Sequence, residues 1–115
     1  MPHLPNADLA YVEDAKLSSY ILNPGHKEGW PKGRFLVSHG FAQDDLEVLR
    51  AALLRHGREN EVTESEQSAF GVKYRVDGPL STPVGNVIFV RTVWQIDVGQ
   101  MAPRFVTFTP IGATK

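Results

Sequence analysis

The chain has 115 residues, which suits one domain and is too short for two separate hydrophobic cores. It has no cysteine, and this excludes disulfides, a thiol nucleophile and a thiolate metal site. Its formal net charge is −1, whereas proteins that bind nucleic acid non-specifically usually carry a basic excess. Any site for a polyanion must therefore be a local cluster. Because no segment has the pattern of a bilayer-spanning helix or a signal peptide, we expect a cytoplasmic protein without membrane contact.

The first part of the chain predicts helices separated by turns. Residues 1–10 contain two prolines and predict an extended lead-in. A helix is expected over Val12–Asn23, with Tyr20 among its apolar positions, and Pro24 should end it. Residues 26–34 predict a loop of turn formers, and Phe35–Val37 should form a short helix.

The clearest helix of the sequence spans Gln43–His56. Its acidic residues lie near its beginning, and its basic residues, including His56, lie near its end, as the helix dipole favours. Gly57 is expected to end this helix as a left-handed cap. Residues 11–57 thus predict a helical part.

After residue 58 the hydrophobic period changes from helical spacing to alternation. Strands are predicted at Glu61–Ser65, Phe70–Asp77, Asn86–Val98 and Arg104–Thr109. Strict alternation puts Trp94 on the buried face of the longest strand, and puts Phe105 and Phe108 on opposite faces of the last one. The sequence predicts one α+β domain over residues 1–115, with N-terminal helices packed on one face of a three- or four-stranded antiparallel meander at residues 60–110.

The other sheet face is expected to gather cations. If the apolar faces align, it carries Lys73, Arg75, Arg91 and Thr107 or Thr109. Such a face can hold a phosphodiester and stabilise the charge that grows on it during cleavage. Alternatively, these long side chains cover apolar surface in solvent beside neighbouring aspartates.

The predicted loop at residues 26–34 holds a second group of candidates. His26 can exchange a proton near neutral pH, and Lys32 can neutralise phosphate. Trp30 can stack on a base or simply cover the sheet. A surface loop of mixed charge without any function has the same composition.

Other chemistries find little support in the sequence. His3, His39 and His56 have no partners at metal-ligand spacing, and no phosphate-cradling glycine loop is present. We therefore expect neither a metal ion nor a cofactor. The glutamates between Glu59 and Glu66 are interpreted as a solvated acidic edge that discourages strand addition.

Several motifs together resemble a known domain pattern. The segment KLSSYILNPGHKEGWPKGRFL has a helix followed by Asn-Pro-x-His, a glycine-containing loop, a lysine and an aromatic residue. These positions are Asn23, Pro24, His26, Gly29, Lys32 and Phe35. With GVKYRVDGPLSTPVG, VRTVWQID and PRFVTFTP, the chain from about residue 4 to 110 resembles a small bacterial domain family of unknown function, found alone and at the ends of toxin- or phage-associated proteins.

The order of helices and then a meander also resembles the barnase–EndoU–colicin–RelE class of metal-independent ribonucleases. In that class the helices cover one sheet face and RNA binds the other, with variable sets of His, Lys, Arg, Glu, Tyr and Ser or Thr. The resemblance implies a toxin-like domain that cleaves RNA by attack of a ribose 2′-hydroxyl on the adjacent phosphate. It also implies a neutralising antitoxin or immunity partner.

The roles implied by that resemblance fall on six residues. His26 would act as base or acid, Lys32 and Arg91 would stabilise charge, Lys73 and Thr107 would position the backbone, and Trp30 would stack a base. The alternative is a non-catalytic interaction module, of the immunity or antitoxin kind or an accessory domain of a mobile element. Its binding surface would be the Trp30 loop and the acidic edge. Convergence of His26, Lys32 and Arg91 on one phosphate distinguishes the two.

Overall fold

Four antiparallel strands follow an N-terminal helical half in the computed structural model, which describes residues 2–111. The helical segments are a 3₁₀ turn at Ala7–Leu9, α1 at Asp14–Lys16 continuing into a π-helical turn at Leu17–Ile21, α2 at Trp30–Val37 and α3 at Leu46–Glu59. The strands are β1 at Val62–Ser68, β2 at Gly71–Ser81, β3 at Val87–Asp97 and β4 at Arg104–Pro110. The sheet order β1-β2-β3-β4 is a meander, so the predicted α+β architecture is confirmed.

The core lies between the helical half and one face of the sheet. Apolar side chains of the helices meet those of the three last strands, namely Leu17, Ile21, Leu36, Leu49 and Leu53 against Val76, Val90, Trp94, Phe105 and Phe108. Burying each of these side chains stabilises the fold by about 1.5–3 kcal/mol before entropy is counted. In the part of the chain that the structure describes, every helix is too short or too polar to cross a lipid bilayer.

A bulge corrects the strict alternation expected for the last strand. The pairing of β3 with β4 shifts between Val93 and Trp94, so Trp94 lies opposite Phe105 while Thr92 lies opposite Phe108. Both phenylalanines are therefore buried in the core, and Phe105 packs edge-on against Trp94 with ring centroids 5.4 Å apart. A bulge inserts one unpaired residue, and this reverses the faces of all residues that follow it.

The helix boundaries differ from those predicted. The second helix begins at Trp30 rather than Phe35, because Pro31 fits the first helical turn, where its missing N–H costs nothing. The third helix begins after Asp45, whose carboxylate accepts from the N–H of Val48 at 3.4 Å. Gly57 lies inside this helix and does not end it. A Cβ there would lie 2.6 Å from the Trp94 ring, so the glycine permits close packing of α3 on β3.

His56 is a core residue and not a charge at a helix end. It is 2% exposed, its Nδ1 lies 3.0 Å from the hydroxyl of Thr92, and its Nε2 lies 3.1 Å from the carbonyl oxygens of Gly78 and Val90. The two carbonyls can only accept, so Nε2 carries the proton and Nδ1 accepts from Thr92. Burial lowers the pKa of His56, and the hydrogen bonds to the two carbonyls and the charge of Asp77 oppose this only in part.

The buried imidazole predicts an acid-sensitive fold. Because the pKa of His56 is lower in the folded state, the unfolded chain binds a proton first, near its ordinary value of about 6.5. The stability that His56 contributes is present above that pH and is lost as the pH falls through the folded-state pKa, by at most about 1.4 kcal/mol per pH unit. Urea unfolding at pH 7.5 and at lower pH measures this loss. We expect a smaller loss in His56→Gln, and an equal loss in both proteins would contradict the assignment.

Candidate functional site

Polar side chains from the helical half and from the sheet meet at the outer edge of β4. The ammonium group of Lys32 donates to the hydroxyl of Thr107 at 2.8 Å and lies 3.5 Å from the hydroxyl of Tyr20. The hydroxyls of Tyr20 and Thr107 are 3.3 Å apart. Together with His26 and Lys16, which flank the Tyr20 ring, these residues are called the Tyr20 cluster below.

The His26 ring stands edge-on to Tyr20, with centroids 4.8 Å apart and an interplanar angle of 88°. Its Nδ1 accepts hydrogen bonds from the backbone N–H groups of Glu28 and Gly29, at 3.2 and 3.0 Å. Since Nδ1 is an acceptor, the neutral ring carries its proton on Nε2. The loop thereby fixes both the orientation of His26 and the atom that can donate.

Backbone packing places Tyr20 against the start of α2. In the π-helical turn, the N–H of Leu22 donates to the carbonyl oxygen of Leu17 at 2.8 Å. Such turns are rare in proteins, but many of those that occur lie at functional sites. Only glycines fit the opposing surface. A Cβ at Gly29 would lie 2.0 Å from the carbonyl oxygen of Tyr20, and one at Gly33 would lie 1.8 Å from that of Ile21. The glycines of this segment therefore permit close packing and do not mark a mobile loop.

The positive charges of the Tyr20 cluster have no counter-ion at ion-pair distance within residues 2–111. The ammonium groups of Lys16 and Lys32 lie 5.2 and 5.9 Å from the centroid of the Tyr20 ring, within the range of a cation–π contact. Within residues 2–111, no carboxylate oxygen lies within 4.0 Å of the side-chain nitrogens of Lys16, His26 or Lys32. Two half-buried ammonium groups without a carboxylate attract an external anion.

The register confirms that the expected cations share one face of the sheet. Lys73 lies opposite Gln95, Arg75 opposite Val93, and Val93 in turn opposite Thr107. We call this face, which lies opposite the core, the open face. Its arginines are neutralised internally: Arg75 lies 3.7 and 3.3 Å from Glu64 and Glu66, and Arg104 lies 3.1 Å from Asp97.

Arg91 does not join the Tyr20 cluster. Its guanidinium binds both carboxylate oxygens of Asp77, at 2.7 and 3.0 Å, and these hydrogen bonds raise the pKa of Arg91. Asp77 is on β2 and Thr107 is on β4, so the pair turns Arg91 toward the opposite side of β3 from Lys32. The structure thus brings His26, Lys32 and Thr107 together around Tyr20, whereas the Arg91 side chain is held by Asp77. Its convergence with them on one phosphate stays a prediction.

Two further predicted residues, Lys73 and Trp30, are not members of the Tyr20 cluster. Lys73 is half-buried on the open face between Glu66 and Gln95, two strands away from Thr107. Trp30 is the first residue of α2 and not part of a loop, and its half-buried ring lies over Gly33. In the described part of the chain, Lys73 makes no hydrogen bond or ion pair with the Tyr20 cluster. Trp30 contacts it through its backbone N–H, which donates to the carbonyl oxygen of His26 at 3.0 Å.

Sequence reasoning missed Tyr20 and Lys16 as site residues. Tyr20 falls at an apolar position of the expected helix, and nothing in the sequence marks the π-helical turn that turns its hydroxyl toward β4. The available signal was the spacing of Gly29 and Gly33 four residues apart, which suggests one close-packed face of a helix.

The chain matches the family described as "Domain of unknown function (DUF6883)" over residues 3–112, and it therefore belongs to that family. No curated protein sequence matches it. Among solved structures, a chain of the contact-dependent growth inhibition toxin–immunity protein complex from Klebsiella pneumoniae 342 has the same fold. The TM-score is 0.70 at 14% sequence identity, over 93% of this chain and 97% of that chain.

The packing of α2 predicts an unusual response to alanine. Gly→Ala inside a helix normally stabilises by roughly 1 kcal/mol. At Gly33 we expect instead a loss of about 2 kcal/mol or more, because the new methyl group meets the carbonyl of Ile21. Thermal unfolding measures the change, and Gly25→Ala is the control, since its Cβ would find only an ordinary contact at 3.5 Å. A Gly33→Ala protein more stable than the parent would contradict the packing.

Proposed function

We propose that this member of the DUF6883 family is a toxin domain that cleaves RNA phosphodiester bonds without a metal ion. The observation that supports it is the Tyr20 cluster, where two ammonium groups, a histidine N–H donor and a tyrosine hydroxyl lie at one edge of the sheet. Among the described residues, no carboxylate lies within 4.0 Å of these ammonium groups or of the His26 ring nitrogens. A phosphodiester is an anion of matching size, and its charge grows as a nucleophile adds to phosphorus.

Each member of the Tyr20 cluster has a role in this proposal. Lys32 binds a non-bridging phosphate oxygen and stabilises the charge of the transition state, while Lys16 strengthens the local positive potential. His26 donates its Nε2 proton as a hydrogen bond to a second phosphate oxygen. Thr107 holds the ammonium group of Lys32 in place through their 2.8 Å contact.

The open face would guide the rest of the RNA. Lys73, for which the described residues offer no ion-pair partner, contacts a neighbouring phosphate. The half-buried ring of Trp30, at the start of α2, would stack on a base of the RNA. Arg91 has a structural role in this proposal, because its ion pair with Asp77 links β2 to β3 on the face where the RNA would lie.

The relationship to the Klebsiella structure supports a role in a toxin–immunity system. The two chains match over nearly their whole lengths, so the likeness concerns one small fold and not a shared fragment. A chain of this kind that acted on cytoplasmic RNA would harm its own host. We therefore propose a neutralising partner that presents carboxylates to the Tyr20 cluster.

The second candidate is an immunity-like binding module, since the similar structure is a complex of both kinds of protein. One observation favours it. Three apolar residues are strongly exposed at the turns that follow β1 and β3: Phe70 (76%), Val98 (70%) and Met101 (65%). The two turns are joined by a hydrogen bond from the backbone N–H of Val98 to the carbonyl oxygen of Phe70. The acidic edge expected to serve such a partner is partly used, because Glu64 and Glu66 bind Arg75.

The purified protein should fragment total bacterial RNA in the presence of EDTA. Lys32→Ala removes the main contact to the charged transition state, so we expect cleavage to fall by about 10²-fold or more. Arg55→Ala is the matched control, because it removes the same charge from an exposed site on α3. Gel analysis of RNA measures the rates, and circular dichroism verifies folding.

Two results would overturn the ribonuclease proposal. One is intact RNA after incubation with the folded parent protein. The other is an equal rate in Lys32→Ala and the parent. Induction of the chain in a bacterial host then separates the candidates, since a toxin domain arrests growth, whereas an immunity-like module leaves growth unchanged.

A further inference from the structure

Cleavage of RNA by its own 2′-hydroxyl requires two proton movements. The 2′-oxygen loses its proton as the O2′–P bond forms, and the 5′-oxygen needs a proton as the P–O5′ bond breaks. A positioned side chain that supplies the proton to the departing oxygen accelerates such a step by about 10²–10⁴-fold. The question is which side chain of the Tyr20 cluster can release a proton there.

The hydrogen bonds of His26 make it unsuited to that task. Its Nδ1 is occupied by the N–H groups of Glu28 and Gly29, so the ring holds a single proton on Nε2. To act as an acid it would first need a second proton on Nδ1, and that proton would point at two N–H groups. With Nδ1 accepting from two backbone N–H groups, His26 offers its Nε2–H as a hydrogen-bond donor.

Tyr20 has the geometry that His26 lacks. Its hydroxyl lies at the centre of the Tyr20 cluster, 3.3 Å from the hydroxyl of Thr107 and 3.5 Å from the ammonium group of Lys32. If the hydroxyl releases its proton, the negative charge forms next to that ammonium group. The Tyr20 ring packs at right angles against the His26 ring, and its backbone belongs to the π-helical turn, so the hydroxyl is fixed in position.

We propose that Tyr20 is the proton donor to the 5′-oxygen, an inference that rests on the proposed function. The 2′-hydroxyl gives its proton to solvent and its oxygen bonds to phosphorus. The P–O5′ bond breaks, and O5′ takes the proton of Tyr20. The phenolate then regains a proton from water. The products are a 2′,3′-cyclic phosphate and a 5′-hydroxyl.

The test measures how fast the parent and Tyr20→Phe cleave two RNA substrates that differ in the leaving group. The substitution keeps the ring and removes only the hydroxyl. The substrate is a synthetic RNA with the sequence that the parent protein cuts in total RNA, made with oxygen or with sulfur at the 5′-bridging position. Sulfur leaves readily as a thiolate and needs no proton donor. We expect Tyr20→Phe to lose about 10²-fold or more on the oxygen substrate and to approach the parent rate on the sulfur substrate.

Three controls separate this role from a structural one. Lys32→Ala should stay slow on both substrates, because sulfur does not replace the lost charge. Tyr11→Phe, an exposed tyrosine beside the other end of β4, should cut both at the parent rate. Binding of a 2′-O-methyl RNA, which cannot be cleaved, should change by about fivefold or less in Tyr20→Phe, since a lost neutral hydrogen bond contributes roughly 1 kcal/mol.

The outcomes distinguish this inference from the ribonuclease proposal. If the parent leaves RNA intact, both are wrong. If the parent cuts RNA but Tyr20→Phe keeps its rate on the oxygen substrate, or is equally slow on both, Tyr20 is not the donor while the ribonuclease proposal stands. If Tyr20→Phe fails to fold, 3-fluorotyrosine at position 20 replaces it. This more acidic ring should move the alkaline limb of the rate profile to lower pH on the oxygen substrate only, and an unmoved limb overturns the inference.

Discussion

The close approach of α2 to the π-helical turn is the constraint on which the candidate site depends. Gly29 and Gly33 let the helix lie against the carbonyls of Tyr20 and Ile21, at distances that no Cβ would tolerate. This contact positions Lys32 beside Thr107 of β4 and brings the His26 ring against the Tyr20 ring. Any residue larger than glycine would push α2 outward, and the charged groups would separate without any change to their identities.

Pairing of charges on the open face determines where an anion can bind. Arg75, Arg91 and Arg104 each bind a carboxylate of a neighbouring strand or turn end. Such partly exposed pairs add only about 0–1 kcal/mol each to stability, but they remove the arginines from competition for a ligand. Among the described residues, the cations that stay without a carboxylate include Lys16 and Lys32 at the β4 edge and Lys73 on the open face. A chain with a net charge of −1 can thus still offer a defined site for a polyanion.

The sheet was predictable from the sequence because alternation of side chains depends on the chain alone. The faces of Trp94 and Arg91 followed from it. The bulge at the pairing of Val93 and Trp94 with β4, which places Phe105 against Trp94, left no pattern in the sequence. The start of α2 was missed because Trp30-Pro31 and two glycines look like a loop until their tertiary contacts are known. Tyr20 was also missed because its place in the site depends on tertiary structure. The π-helical turn that directs its hydroxyl toward β4 has no marker in the sequence.

The central claim is that RNA binds at the Tyr20 cluster, and nuclear magnetic resonance tests it most directly. A ¹⁵N- and ¹³C-labelled sample would be titrated with a 2′-O-methyl RNA oligonucleotide that cannot be cleaved. The account predicts that the largest chemical-shift changes fall on Tyr20, His26, Lys32 and Thr107, with smaller ones along the open face at Lys73. Changes confined to the exposed apolar end around Phe70 and Val98, or no changes at all, would contradict it.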